Sequence, residues 1–278
     1  MKPAATLFAL SLFGDNTMSS AAPAQTGYAP VNGLQLYYEI HGPANPAQPP
    51  LVVLHGGGDT IGTSFGRLLP VLARTRRVIA FEQQGFGHTA DIAGRPFSFE
   101  QSADDTAALL EYLHIDQADL CGFSNGGTIV LQVAIRHPRV VRKLVAISTF
   151  FSHDGGSPAF WDSFASVQLP DMPKELRDAY VKVAPHPENL QSFFDKCVQR
   201  MRDFPDIPAE TLRAIAAPTL VICGDADVVR PEHAVELTRL LPHAQLAILP
   251  GTGHMTLMTQ TDLLGPMIGA FLDAAPAK

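Results

Sequence analysis

With 278 residues, 46% of them hydrophobic and 17% charged, the chain can bury a large core, and its length suits one α/β unit carrying an insertion. A net charge of −7 with no run rich in lysine or arginine excludes the nucleic-acid backbone as a partner. Three cysteines without metal-type spacing predict neither a disulfide framework nor a zinc site, and no apolar run approaches a bilayer span, so stable membrane insertion is not expected.

Residues 1–24 carry one positive charge at Lys2, an apolar run over 4–13 and a small-residue cleavage candidate, Ala22-Pro23-Ala24. They read as a weak export signal. The polar Gly14-Asp15-Asn16 and a second start at Met18 favour instead a cytoplasmic chain, with residues 1–25 outside the fold either way. Gly33 then separates two extended runs, 28–31 and 34–40, the second alternating through Leu34, Leu36 and Tyr38 as a hairpin strand does. Residues 50–54 form a continuous apolar run suited to a buried parallel strand, ending in His55-Gly56-Gly57-Gly58. A helix over 65–73 and a strand over 78–81 follow, and a glycine loop, 82–89, closes that strand. Ser98 with Gln101 makes a capping box for a helix burying Ala103, Ala107, Leu110 and Leu113.

The run 119–127 reads as a strand that turns through Ser124 into a helix, a G-x-S-x-G elbow in which Gly122 and Gly126 remove the Cβ atoms that would collide. A strand over 144–147 comes next. Between about 150 and 217 the alternation lapses into a stretch rich in proline and aromatics, with helical candidates near 158–167, 173–184 and 187–202. The pattern resumes with a strand over 218–223, a helix opened by Pro231, a strand over 245–249 and a last helix from about Leu263, with Pro266 near its start. The alternation predicts an α/β fold with a mostly parallel central sheet of about eight strands, helices on both faces and an inserted helical lid. The domains are a core of 26–150 and 216–278 and a lid of 151–215.

Four motifs in order, His55-Gly56-Gly57-Gly58, Gly122-Phe123-Ser124-Asn125-Gly126, Gly224-Asp225-Ala226-Asp227 and Gly253-His254, each follow a predicted strand. In this the sequence over residues 28–272 resembles the α/β-hydrolase fold family, on its serine esterase or lactonase-like branch. The resemblance implies a triad of Ser124, Asp227 and His254, because a serine hydroxyl needs an imidazole to take its proton and a carboxylate to fix the imidazole tautomer. Asp225 competes with Asp227 for the carboxylate role; the family's spacing favours Asp227 and leaves Asp225 as a turn former. The oxyanion donors implied are the backbone amides of Gly57 and Asn125, with His55 supporting their loop. Gln84 stands where relatives commonly carry an arginine.

Phe123, Phe150 and Phe151 are candidate pocket walls, His88 a candidate substrate contact, and Trp161 and Phe164 candidate gate residues in the lid. The function expected is hydrolysis of an apolar carboxylic ester or lactone through an acyl-enzyme on Ser124, with no metal or cofactor, in a monomer or homodimer. A serine nucleophile disfavours the branches that use aspartate at the elbow. C–C bond hydrolysis, amide hydrolysis and cofactor-free perhydrolysis on the same triad stay open, as does a non-catalytic small-ligand binder.

Overall fold

The computed structural model describes residues 23–45 and 48–275, so the leader reading falls on residues outside those described. Eight strands form one sheet in the order β1-β2-β4-β3-β5-β6-β7-β8. They are β1 Gln25–Val31, β2 Leu34–His41, β3 Leu51–Leu54, β4 Val78–Phe81, β5 Ala118–Phe123, β6 Val141–Ile147, β7 Thr219–Gly224 and β8 Ala244–Leu249. β1 and β2 are an antiparallel hairpin turning at Asn32 and Gly33, both with positive φ (49° and 82°), and β2 runs antiparallel to β4. Every other pairing is parallel. The strand begins at Gln25 rather than Tyr28, because Ala24 and the residues after it continue the ladder with Ile40.

Successive residues of β3 feed opposite faces, as the period of two requires. Val52 and Leu54 join one core with residues of the helices Phe99–Tyr112, Asn125–Arg136 and Pro231–Leu240. Leu51 and Val53 join another with residues of Ile61–Phe65, Leu69–Leu72 and Thr261–Asp273. Both faces are thus covered, which is why β3 and β4 are apolar throughout, whereas β5 and β6 carry charges near their starts at Asp119, Arg142 and Lys143.

Three local expectations change. The single helix over 65–73 is two short helices, because Thr60 caps the first by accepting from the Thr63 amide, so it starts earlier and ends at Gly66. The Ser98 box is half made: Ser98 Oγ accepts from the Gln101 amide at 3.0 Å, while the Gln101 side chain turns to Asp105 at 2.9 Å. The last helix starts at Thr261, which places Pro266 inside it rather than near its start.

Between β6 and β7 the chain leaves the sheet for the helices Pro158–Ser163, Lys174–Val183, Leu190–Arg202 and Ala209–Arg213, the last without a counterpart among the sequence candidates. An aromatic cluster ties this insertion to the body: Phe193 meets Phe86 edge-on at 4.9 Å and stacks with Tyr180 at 4.5 Å. Among the described residues no helix is long and apolar enough to cross a membrane.

Candidate active site

Ser124, Asp227 and His254 all lie in connections leaving the carboxyl ends of parallel strands, β5, β7 and β8, where open α/β sheets place their ligands. Ser124 has φ 54° and ψ −118°, a conformation that costs on the order of 1–3 kcal/mol for a side-chain-bearing residue. The turn is possible because of its glycines. A Cβ on Gly122 would lie 2.1 Å from the Gly126 carbonyl oxygen, and one on Gly126 would lie 2.1 Å from that of Leu54.

His254 Nε2 is 3.0 Å from Ser124 Oγ, and His254 Nδ1 is 2.7 Å from Asp227 Oδ1. The Asp227 carboxylate, with its side chain fully buried, also accepts from the Val229 amide at 3.1 Å and from the Ser148 hydroxyl. Burial alone would raise its pKa, but the facing imidazole and these hydrogen bonds outweigh burial and hold it below the ordinary aspartate value. Asp225 is exposed and accepts from the Thr252 amide at 3.2 Å, tying together the loops after β7 and β8. It makes no contact with the imidazole among the described hydrogen bonds.

The glycine loop after β3 abuts the elbow: a Cβ on Gly57 would lie 2.4 Å from Asn125 Nδ2. Within the first turn after Ser124, the Gly127 and Thr128 amides return to the Ser124 carbonyl, at 2.8 and 3.2 Å. The Asn125 amide is left out of these bonds. His55 anchors the loop from below, with Nδ1 on the Gly56 carbonyl at 2.9 Å and Nε2 accepting from the Gln83 amide at 3.1 Å. Full burial pushes its pKa down to about 4, so it is neutral and its tautomer is fixed by those two bonds.

The loop after β4 shows what replaces the arginine at position 84. Gln84 donates to Asp91 at 2.7 Å and receives Arg95 Nε, while Arg95 also pairs with Asp105 at 3.2 Å. Arg200, from the helix Leu190–Arg202, lies buried over the rings of Phe86 and Phe99 and donates to Gln83 Oε1 at 3.2 Å. Gln83 in turn donates to the His55 carbonyl at 3.1 Å, so an insertion residue braces the glycine loop.

Of the six candidate substrate contacts, the structure brings Phe123 to the site, its ring 4.9 Å from that of His254. Phe150 packs on Phe160 and Trp161, and Phe151 stacks on His233 at 3.9 Å. Trp161 donates Nε1 to the His153 carbonyl at 2.6 Å, and Phe164 meets Phe160 edge-on. His88 stacks on Tyr37 at 4.2 Å and bonds Glu82 at 2.8 Å, which raises its pKa. Among the described ring contacts of those five, none is with Phe123 or His254. Instead, Met172 and Leu176 lie 3.4 and 3.7 Å from where a Cβ on Gly58 would be.

Sequence reasoning passed over these two, and also Ser148 and Asp59. Asp59 is buried, accepts from Thr63 Oγ1 at 2.8 Å, and has its pKa pushed up to about 6 by burial, against weaker lowering by Thr63, Ser64 and His254. A carboxyl whose folded pKa is raised favours the fold fully below the unfolded value of about 4 and loses that contribution as pH rises through about 6. Asp59→Asn is therefore expected to match the wild type near pH 4 and to exceed it by about 2–3 kcal/mol above pH 7, as measured by urea unfolding at both pH values. Equal differences at the two pH values would show that Asp59 is not raised.

A family model described as the alpha/beta hydrolase fold matches residues 49–192. A 2-hydroxymuconate semialdehyde hydrolase of Pseudomonas sp. (strain CF600) is 32% identical over 250 residues, covering 82% of this chain and 88% of that one. The chain belongs to the alpha/beta hydrolase fold family. A second alpha/beta hydrolase relative, the 2-hydroxy-6-oxo-2,4-heptadienoate hydrolase of Pseudomonas putida, is 32% identical over 248 residues, covering 81% and 89%. Among solved structures, the enol-lactonase of Burkholderia xenovorans LB400 superposes with a TM-score of 0.73 at 24% identity, over 89% of this chain and all of that one. That likeness speaks to the alpha/beta hydrolase fold, and the sequence relatives speak to hydrolysis as the reaction class. Among the described residues no group of three or more His, Cys, Asp or Glu is placed to hold a metal ion, and Cys121, Cys197 and Cys223 are free thiols.

Proposed function

We propose that this chain is a serine hydrolase that opens a small, uncharged carboxylic ester or lactone through an acyl-enzyme on Ser124. The observation that carries it is the unbroken chain Asp227, His254, Ser124, at 2.7 and 3.0 Å, with Gly57 abutting Asn125, the residue after the serine. Ser124 Oγ attacks the carbonyl carbon while His254 Nε2 takes its proton. The oxyanion is received by the Gly57 and Asn125 amides, and collapse expels the alkoxide, which leaves with the proton from His254. Water, deprotonated by the same nitrogen, then attacks the acyl-enzyme and frees Ser124.

The relatives favour a second reading, C–C bond hydrolysis, since two of them are named for a muconate semialdehyde and a 6-oxo-heptadienoate. Those substrates are anions. Here the Asp59 carboxyl lies beside the glycine loop, which favours an uncharged substrate; Arg200 donates Nη1 to Gln83 and lies over the phenylalanine rings, while its buried Nε and Nη2 have no hydrogen-bond partner among the described residues, the one feature that would suit an anion. A fluorophosphonate should label wild type at Ser124, and a short aryl ester should then be compared with a conjugated 6-oxo-dienoate. A dienoate kcat/KM more than about tenfold above that of the ester would decide for C–C cleavage.

In the same reading the insertion is a lid whose wall at the site is Met172 and Leu176, rather than Trp161 and Phe164. Leu176→Ala is expected to raise kcat/KM for a branched acyl ester relative to acetate by roughly tenfold, the scale of a few methylenes in an apolar pocket. An unchanged ratio, with stability lowered by the cavity alone, would make Leu176 a packing residue.

A further inference from the structure

Beyond Asp227, the site holds a buried carboxyl that the acyl-enzyme mechanism does not use. Asp59 follows directly on the glycine run. Its Oδ2 lies 2.6 Å from the point a Cβ on Gly56 would occupy, and the Phe123 ring lies 3.2 Å from the same point. Since that ring packs against His254, the Asp59 carboxyl and the imidazole lie on either side of the Phe123 ring, next to Gly56. The titratable groups facing Asp59 are His254 and the Cys197 thiol, the latter on the helix Leu190–Arg202; Thr63 and Ser64 supply neutral hydroxyls. Its main charged neighbour is thus the imidazole that the mechanism itself protonates.

We propose that Asp59 sets the charge selectivity of this site, admitting uncharged acyl groups to the glycine loop and turning away acyl groups that end in a carboxylate. The inference rests on the serine-hydrolase reading and names the substrate class within it. A second carboxylate brought beside Asp59 would meet a like charge where little water is present to screen it, and such juxtapositions are strongly unfavourable. Because burial pushes the Asp59 pKa up to about 6, the repulsion is in force at neutral and alkaline pH and fades on acidification.

The test compares 4-nitrophenyl pentanoate with mono-4-nitrophenyl glutarate, esters of similar length that end in a methyl group and a carboxylate. Wild type and Asp59→Asn are assayed at about pH 8 and about pH 5.5, on either side of the Asp59 pKa, with active sites counted by fluorophosphonate titration of Ser124. The Asn variant is expected to raise the glutarate-over-pentanoate ratio of kcat/KM by at least about tenfold at the higher pH. The wild-type ratio should climb towards that of the variant at the lower pH, while the variant's ratio stays flat. Active sites that titrate fully, with a ratio the substitution moves by less than about twofold, overturn this inference and leave the serine-hydrolase reading standing. A wild type that reacts with neither ester nor phosphonate overturns that reading and this inference with it.

Discussion

Ser124→Ala is expected to lower turnover by at least about 10⁴-fold, because losing the nucleophile of a Ser-His-Asp set leaves only what the oxyanion donors and substrate binding supply. The fold should not suffer. Alanine carries the same Cβ into the same positive-φ turn, so the strain at φ 54° is neither relieved nor added to, and the helix Asn125–Arg136 loses no cap, since Ser124 makes no side-chain capping bond. What disappears is one hydrogen bond of 3.0 Å to His254, at a half-buried position. That bond is worth about 0.5–1.5 kcal/mol, so the thermal midpoint should move by only a few degrees. Parallel measurement of ester turnover, phosphonate labelling and melting separates the outcomes. Residual activity above about one per cent of wild type would mean that another group attacks the carbonyl, and a collapse of the melting transition would mean that Ser124 serves the fold.

Much of this site was legible because it depends on local backbone geometry. Gly122 is demanded by the Gly126 carbonyl within the turn and Gly126 by the Leu54 carbonyl of the neighbouring strand, each at 2.1 Å, backbone contacts that no side-chain rearrangement can relieve, so the elbow writes itself into the five positions 122–126. The strand-helix alternation is likewise local, and it located all eight strands with shifts of a few residues. What sequence could not supply were contacts made by tertiary closure. Sequence alone does not tell whether Phe150, Phe151, Trp161 and Phe164 line a pocket or hold the insertion to the body; in the fold Phe150 packs on Trp161, Phe151 on His233, Phe164 on Phe160 and Trp161 on Phe204. Asp59 is one acidic residue after a glycine run until the fold buries it near His254. Ser148 is a serine at a strand end, and only the approach of the loop after β7 turns its hydroxyl onto Asp227. The rule that proline breaks helices puts Pro266 near a helix start, whereas here the helix begins early enough to enclose it.

The two carboxylates after β7 give the second large effect. Asp227→Asn is expected to lower kcat by about 10³–10⁴-fold near neutral pH, whereas Asp225→Asn should lower it by less than about threefold. The distinction follows from what each carboxylate accepts. Asp227 Oδ1 accepts a hydrogen bond from His254 Nδ1–H at 2.7 Å, which keeps the proton on Nδ1 and leaves Nε2 free to face Ser124, and its negative charge would stabilise the imidazolium formed during attack. An asparagine amide in that place can present its NH₂ to Nδ1, favouring the tautomer with the proton on Nε2, and the base is then unavailable. Ser148 would still donate to the remaining oxygen, while the Val229 amide, which shares Oδ1 with the imidazole, would lose its acceptor, so the fold should tolerate the change at the cost of about one hydrogen bond even as the chemistry fails. Among the described side-chain hydrogen bonds Asp225 accepts one, from the Thr252 amide at 3.2 Å, and an asparagine oxygen can accept that bond unchanged. The folded-state pKa of Asp227 is lowered, so its charged form contributes stability at neutral pH that is lost as pH falls through that depressed value, and Asp227→Asn should remove this acid-side dependence. Steady-state kinetics of both variants on one ester, with urea unfolding of each between about pH 3 and pH 7, would check the assignment. A larger kinetic loss in Asp225→Asn than in Asp227→Asn would reverse it.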